Sequence, residues 1–216
     1  MAVTINASTT TGLVQSADTS GTVEIQSNGT TRLTVALGGV TTTGNTSIAN
    51  LTATGTFGGG VITSGTAVAS TSGTSIDFTS IPSWVKRITV MFNAVSTNGS
   101  SIVQVQIGSG SVTTSGYAGS STGLGGATTT NLYTSGLVLF TNNESSSAVR
   151  VGQAVITLVS GNIYSMTSNI GLTNIATICL SASVVTLSGV LDRVRVTTVN
   201  GTDTFDAGSI NILYEG

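Results

Sequence analysis

The sequence predicts an all-β protein in which an N-terminal β-hairpin or intertwined stem segment precedes an antiparallel, jelly-roll-like β-sandwich. Apolar and polar residues alternate along many short segments, and these segments are rich in Val and Thr, which favour strands. No segment keeps apolar residues at the i, i+3, i+4 and i+7 spacing of an amphipathic helix. So many short strands, separated by turn residues, are typical of two packed sheets.

Residues 1–60 differ in composition from the rest of the chain. They are rich in Thr and Gly, contain few large apolar residues and end in the hinge-like run Phe57-Gly58-Gly59-Gly60. Such a segment cannot bury enough apolar surface alone, and winding against identical copies is one remedy. We therefore expect residues 1–60 to form an attachment or stem segment that winds against identical copies in an oligomer, and residues 61–216 to form the sandwich domain.

The first predicted hairpin is centred on the Asn-Gly step at residues 28 and 29, a strong turn signal because both residues tolerate a positive φ. A two-residue turn would mix apolar and polar residues on each face of the pair. A three-residue loop that begins at the preceding serine instead sets Val23 across from Leu33 and Glu24 across from Arg32. We therefore predict the three-residue loop, with one apolar face and an ion pair on the other.

A second Asn-Gly step, at residues 98 and 99, predicts another hairpin. A four-residue loop from Thr97 to Ser100 keeps the apolar residues of both strands on one face. It pairs two sets of core candidates, Val90, Phe92 and Ala94 with Ile107, Val105 and Val103.

The remaining strands are predicted from their alternation and from the turn residues between them. They are Leu137–Thr141, Val149–Val159, Ile163–Ser168, Ile175–Leu180, Val184–Leu187, Val190–Thr198 and Ser209–Tyr214. A third Asn-Gly step, at residues 200 and 201, separates the last two strands.

The charge content argues against two classes of partner. Only 6% of the residues are charged, against roughly 25% in an ordinary globular domain. The six basic residues are scattered, so no basic stripe is available to bind nucleic acid. Every apolar run is broken before the roughly 18 to 20 residues that a spanning helix needs, so we expect no membrane insertion.

The N-terminus lacks the pattern of a secretory signal, so we expect the chain to stay in the cytosol until assembly or lysis.

Catalysis is not expected from this sequence, and no catalytic residue, metal site or cofactor is predicted. The chain contains no His and a single Cys, Cys179, which lies in an apolar run and is expected to be buried. Only Asp203 and Asp206 are acidic residues close in sequence, and an Asx turn is weighed there against a calcium site. Asp192, with its neighbouring arginines 193 and 195, predicts either inter-chain ion pairs or solvated strand charges.

The best candidates for contact with a receptor lie in and after the Gly-rich segment 108–126. This segment is small, polar and typical of a long surface loop. Tyrosine rings stack on sugars, and hydroxyl and amide groups bond sugar hydroxyls. The predicted contact residues are Tyr117, Ser120, Ser121, Asn131 and Tyr133. In the alternative interpretation, the loop is an ordinary connector and the tyrosines cap the core.

Two parts of the sequence resemble phage virion proteins. The run ASTTTGLVQSADTSGTVEIQSNGTTRLTV, which ends at Val35, resembles a module of the N-terminal or shaft parts of phage tail fibres. The runs GTAVASTSGTSIDFTSIPSWVKRITVMFNAVSTNGSSIVQVQIGSG and LSGVLDRVRVTTVNGTDTFDAGSINILYEG, with Thr114-Ser115-Gly116-Tyr117 between them, look like the C-terminal domain of such fibres. The resemblance implies a trimeric virion protein with a distal β-sandwich.

The resemblance leads to two functional expectations. The first is a tail fibre or spike whose distal domain attaches to the host surface, with a host-surface glycan as ligand. The alternative is a capsid decoration protein or head fibre that residues 1–60 anchor to the shell. In both cases the chain is a non-enzymatic virion protein, and residues 1–60 contact other virion structural proteins.

Overall fold

The computed structural model describes residues 23–27, 30–36, 39–42, 62–125, 128–141 and 145–216. Within these ranges the chain forms 17 strands and no helix. The chain divides into two compact units, Met1–Gly55 and Thr56–Gly216. The strands are, in chain order, β1 (Val23–Ser27), β2 (Thr30–Ala36), β3 (Gly39–Thr42), β4 (Ile62–Ser64), β5 (Val68–Ala69), β6 (Ser75–Thr79), β7 (Arg87–Thr97), β8 (Val103–Ser109), β9 (Ser111–Val112), β10 (Ala118–Leu124), β11 (Thr129–Tyr133), β12 (Leu137–Val138), β13 (Arg150–Ser160), β14 (Ile163–Leu172), β15 (Thr177–Thr186), β16 (Arg193–Thr198) and β17 (Phe205–Glu215).

The first unit contains a three-stranded antiparallel sheet of order β1-β2-β3. The predicted register of its first hairpin is wrong, because Ser27 pairs with Thr30 and leaves a two-residue connection. A β-bulge after Ile25 then shifts the register, so that Ile25 pairs with Leu33 and Glu24 with Thr34. The one extra residue of the bulge keeps the apolar residues of the two strands opposite each other. The predicted three-residue loop had been chosen for the same reason. The predicted ion pair involves the side chain of Arg32, which lies outside the described residues.

The second unit is built from two antiparallel sheets, so the predicted all-β sandwich class is confirmed. The larger sheet has nine strands in the order β11-β10-β15-β14-β13-β7-β17-β4, and β5 also pairs with β17. The smaller sheet has five strands in the order β12-β8-β16-β6, and β9 also pairs with β8. The predicted segments 175–180 and 184–187 form one continuous strand, β15.

The second predicted hairpin does not exist, because β7 and β8 lie in different sheets. Both edges of β7 are occupied by more distant strands, β13 on one side and β17 on the other. The Asn-Gly step at residues 98 and 99 therefore crosses between the sheets. The same holds for the step at residues 200 and 201, because β16 and β17 also belong to different sheets.

One apolar core lies between the two sheets, and both β7 and β8 contribute buried side chains to it. Five of the six predicted core residues are buried in it, namely Val90, Phe92, Val103, Val105 and Ile107. The prediction is wrong for Ala94, which is exposed and has a φ of 53°. Ala94 lies beside irregular pairing between β7 and β17, where the backbone departs from regular strand geometry.

The half of the large sheet formed by β10, β11, β14 and β15 contains no Asp, Glu, Lys or Arg. Along β15 the apolar residues Ile178, Leu180 and Val184 are exposed, whereas Ser181 and Ser183 are buried. This orientation reverses the usual apolar-inside pattern of a strand with one solvated face. The outward surface at this end of the sheet is therefore uncharged, and along β15 it carries exposed aliphatic side chains.

Candidate functional site

The predicted receptor-contact residues lie on or next to the β10–β11 hairpin, but they do not form one surface. Ser120 pairs with Leu132, and Ser121 pairs with Asn131. Residues directly opposite each other in an antiparallel pair point to the same face, and successive residues point to opposite faces. Ser120 therefore shares the outward face with Leu132, whereas Ser121, Asn131 and Tyr133 belong to the other face.

Tyr117 is a core residue, so its predicted role in receptor contact is corrected. Its side chain is 2% exposed. The hydroxyl accepts a hydrogen bond from the backbone N–H of Ile107 at 2.9 Å and lies 3.0 Å from the carbonyl oxygen of Thr113. Burial raises the pKa of Tyr117 to about 12. The hydroxyl therefore holds the chain before β10 against β8, which corresponds to the alternative interpretation in which a tyrosine caps the core.

The other inward-facing candidates hold the hairpin to the segment after β12. Ser121 is 4% exposed, and its hydroxyl donates to the carbonyl oxygen of Phe140. The Asn131 amide and the Tyr133 hydroxyl both donate to the carbonyl oxygen of Thr141. Burial raises the pKa of Tyr133, as expected for a phenol withdrawn from water. These hydrogen bonds hold the hairpin to the segment after β12, while Asn131 remains exposed and Tyr133 partly exposed. Receptor contact by Asn131 and Tyr133 stays a prediction.

The outward face of the hairpin borders an open groove of about 580 Å³. Its lining includes Ser120, Leu132 and Val184 from three neighbouring strands. Leu132 is 84% exposed, although leucine is a residue type that proteins usually bury. Leu124, Ile178 and Leu180 add exposed aliphatic side chains on the same three strands. We call these aliphatic side chains, together with Leu132 and Val184, the hairpin face.

The hairpin face was not predicted from the sequence, because alternation alone does not say which side of a strand is inside. The signal was present in the pattern of β15, where one set of alternate residues is mainly aliphatic and the other contains two serines. The structure places the serines inside, where Ser181 pairs with Ser121 and Ser183 with Gly119 of the neighbouring strand. A contact surface can thus be found from the sequence only once the inward side is known.

An Asx turn made by Asn200 precedes the acidic pair near the C-terminal strand. The Asn200 side-chain oxygen accepts hydrogen bonds from the N–H groups of Thr202 and Asp203. The Asp203 carboxylate accepts from the Ser101 N–H at 2.8 Å and from the Asn200 amide at 2.6 Å. Asp206 accepts from the Ser96 hydroxyl instead. Among the described residues no three or more His, Cys, Asp or Glu side chains cluster as a metal site would require.

The charged residues of β16 form ion pairs within one chain. Arg195 binds Asp77 through two nitrogens, at 2.6 and 3.0 Å, and these residues are direct cross-strand partners. Arg193 binds the adjacent Asp192 at 2.7 Å. Both pairs are partly exposed to solvent, which screens the charges, so each contributes little to stability.

Cys179 is buried, as the sequence predicted, and its thiol gives a test that depends on pH. The side chain is 1% exposed, and burial raises the pKa of its thiol to about 11. The folded state therefore favours the protonated thiol. The resulting stabilisation of the folded state is fully present at pH values below the thiol's ordinary pKa, and it is lost as the pH rises to about 11.

We expect the free energy of unfolding of the native protein to fall between pH 9 and pH 11 more steeply than that of Cys179→Ala, by on the order of 1 to 2 kcal/mol. Urea unfolding of both proteins at several pH values would measure the difference, and all other titrating groups cancel in the comparison. Parallel pH profiles would contradict this prediction.

Comparisons with protein-family models, with curated proteins and with solved structures found no match. Among the described residues no helix is long and apolar enough to cross a membrane.

Proposed function

We propose that the chain is a non-enzymatic structural protein of a phage particle, a homotrimeric tail fibre or spike whose sandwich domain attaches the particle to the host surface. The resemblance of residues 7–35 and of the runs within 65–110 and 187–216 to tail-fibre segments supports this proposal. The polar, nearly uncharged composition, with 6% charged residues, is also in keeping with a surface that is built from Ser, Thr, Gly and Asn.

The observation that carries the oligomeric part of the proposal is the hairpin face. Leu124 is 48% exposed, Ile178 50% and Leu132 84%. Moving each such side chain out of water would contribute about 1 kcal/mol, at roughly 25 cal/mol per Å² of apolar area. Exposed aliphatic patches of this kind commonly mark protein interfaces. In this proposal the hairpin face packs against another copy of the chain.

The lack of charge on these strands favours identical copies as the partner. Copies that meet through equivalent or overlapping surfaces bring their own charges together, and like charges at an interface cost several kcal/mol. Strands β10, β11 and β15 contain no charged residue, so this repulsion does not arise. The groove of about 580 Å³ beside Leu132 gives an incoming aliphatic side chain a place to pack.

The test compares two substitutions of exposed aliphatic residues. Leu180→Glu places a charge in the hairpin face, whereas Val190→Glu places one at a residue that is 53% exposed and outside that face. By light scattering we expect trimers for the native protein and for Val190→Glu, and monomers for Leu180→Glu with a melting temperature close to that of the native sandwich. A native protein that is monomeric at all concentrations would overturn the trimer.

A separate measurement determines where on the phage particle the protein is located. Immunogold labelling of intact particles with antibody raised against residues 62–216 is expected to mark the tail. Fab fragments of that antibody should then slow adsorption to host cells by at least about tenfold, since they cover the attachment domain. Gold spread over the head would replace the tail fibre with the alternative, a capsid decoration protein or head fibre.

A further inference from the structure

A polar pocket lies on the small sheet, on the side that faces away from the core. Along β8, Val103, Val105 and Ile107 point into the core, so Gln104 and Gln106 point outward. Outward-facing glutamines are normally solvated, but Gln104 is only 2% exposed and Gln106 5%. Amide groups withdrawn from water in this way need hydrogen-bond partners among the residues around them.

The segment between β11 and β12 covers the two glutamines. The Ser135 hydroxyl donates to the Gln104 side-chain oxygen at 2.8 Å, and the Gln106 side-chain nitrogen donates to the Ser135 carbonyl oxygen at 2.8 Å. Gly136 lets this segment approach closely, because a Cβ there would lie 2.8 Å from the side-chain oxygen of Gln104 and 2.9 Å from the carbonyl oxygen of Val105. The orientation of both amides is thus fixed by the fold.

These side chains line an open pocket of about 300 Å³. This volume lies at the lower end of the range of about 300 to 1,000 Å³ that is usual for small-molecule sites. The lining contains amide, hydroxyl and guanidinium groups. It consists of Thr74, Ser75, Gln104, Gln106, Thr114, Ser135, Arg195, Thr197, Thr198, Val199, Asn200 and Gly201.

Hydrogen-bonding capacity remains at the buried part of this pocket. A glutamine amide offers two N–H donors and an oxygen with two acceptor sites. Gln106 uses one N–H, and among the described residues nothing donates to its side-chain oxygen. The buried Thr197 hydroxyl donates to the Thr74 carbonyl oxygen at 2.8 Å and keeps its acceptor sites. A ligand with several hydroxyl groups would match this mixture of donors and acceptors.

The charge of the pocket selects a neutral ligand. Arg195 is the only charged residue of the lining, and its guanidinium is bound to Asp77 through two nitrogens. An anionic ligand would have to compete with that carboxylate, and a cationic ligand would meet the guanidinium. Neither charge is favoured, whereas neutral hydroxyl groups can bond amides and hydroxyls without loss.

We propose that this pocket binds a single neutral sugar residue, with the side chains of Gln106 and Thr197 as its principal hydrogen-bonding groups. The site lies on the small sheet, and the residues that line it determine which kind of ligand it can bind. Only the expectation that the sugar belongs to a host-surface glycan rests on the proposed function. In this proposal the pocket, and not the set of predicted hairpin residues, is the site of glycan contact.

Saturation-transfer NMR of the full-length chain tests the site with defined probes. The neutral probes are the methyl glycosides of glucose, galactose and mannose, together with N-acetylglucosamine, and the acidic comparison is glucuronic acid. We expect at least one neutral sugar to bind and glucuronic acid to bind at least about tenfold more weakly. Titrating the ¹⁵N-labelled native protein should shift the side-chain amide resonances of Gln104 and Gln106, a measurement that needs no variant.

Two variants with nearly unchanged volume localise the binding. Gln106→Leu and Thr197→Val remove hydrogen-bonding groups, and each is expected to weaken sugar binding about tenfold, the effect of one lost hydrogen bond in a desolvated site. Leu132→Ser, on the hairpin face, should leave sugar binding unchanged whatever the oligomeric state. No binding of any neutral probe, binding of the acid alone, or native affinity in both pocket variants would each overturn the proposal. A monomeric native protein that still binds sugar would contradict only the trimer.

Discussion

Replacing Gly208 by alanine is expected to lower the free energy of unfolding of the sandwich by about 3 to 4 kcal/mol. Gly208 has a φ of +92°, and a Cβ at this position would lie 2.4 Å from the carbonyl oxygen of Ala94. The residue sits where the register between β17 and β7 shifts, on a strand of the large sheet that is paired on both edges. Because the obstructing atom belongs to a central strand's backbone, the structure can relieve the clash only by separating β7 from β17.

Gly201→Ala is the matched control for this prediction. Gly201 also has a positive φ, +68°, but nothing lies within 4 Å of a Cβ built there. Its substitution measures the conformational penalty alone, about 1 kcal/mol. Urea unfolding of the two variants and the native protein gives both losses. Equal losses would mean that the close approach of β7 and β17 does not depend on glycine.

Tyr117→Phe is expected to lower the free energy of unfolding by about 2 to 3 kcal/mol. The substitution keeps the ring and removes only the hydroxyl, so the N–H of Ile107 is left buried without its acceptor. The carbonyl oxygen of Thr113 loses a donor at the same time. A buried N–H group without an acceptor destabilises the folded state by the full free energy of its lost hydration.

Tyr164→Phe provides the comparison, since Tyr164 is also buried but its hydroxyl accepts a single, longer bond of 3.2 Å from the Leu191 N–H. We expect it to lose about 1 kcal/mol. Thermal or urea unfolding of the two variants shows which of them loses more free energy of unfolding. If Tyr117→Phe were as stable as the native protein and adsorbed poorly to host cells, Tyr117 would have to be returned to the receptor-contact surface.

The positions of the strands were predictable because they depend on local signals. Segments such as Val149–Val159 and Ser209–Tyr214 show alternation in their own residues, and they match β13 and β17 to within a few residues. The pairing of the strands was not predictable in the same way. The Asn-Gly step at residues 98 and 99 marks a change of direction, but the sequence around it does not show that both edges of β7 are taken by β13 and β17.

The site was less predictable than the fold, because polar residue type says little about burial in a chain so rich in Ser and Thr. Tyr117 and Ser121 looked like loop residues, yet distant partners bury them, Ile107 for the tyrosine and Phe140 for the serine. Gln104 looked like an ordinary outward residue of β8 until Ser135 and its neighbours covered it. In each case the decisive contact joins residues that no local pattern connects.

The sheet order also determines when this domain can fold during synthesis. The central strands β7 and β17 are partners, although their residues Arg87 and Glu215 are 128 positions apart. Such long-range pairing slows folding, because a large loop must close before its contacts form. A nascent chain that ends before β17 leaves one edge of β7 unpaired, where it can bind strands of other chains. Residue 215 must therefore leave the ribosome before the two sheets can close.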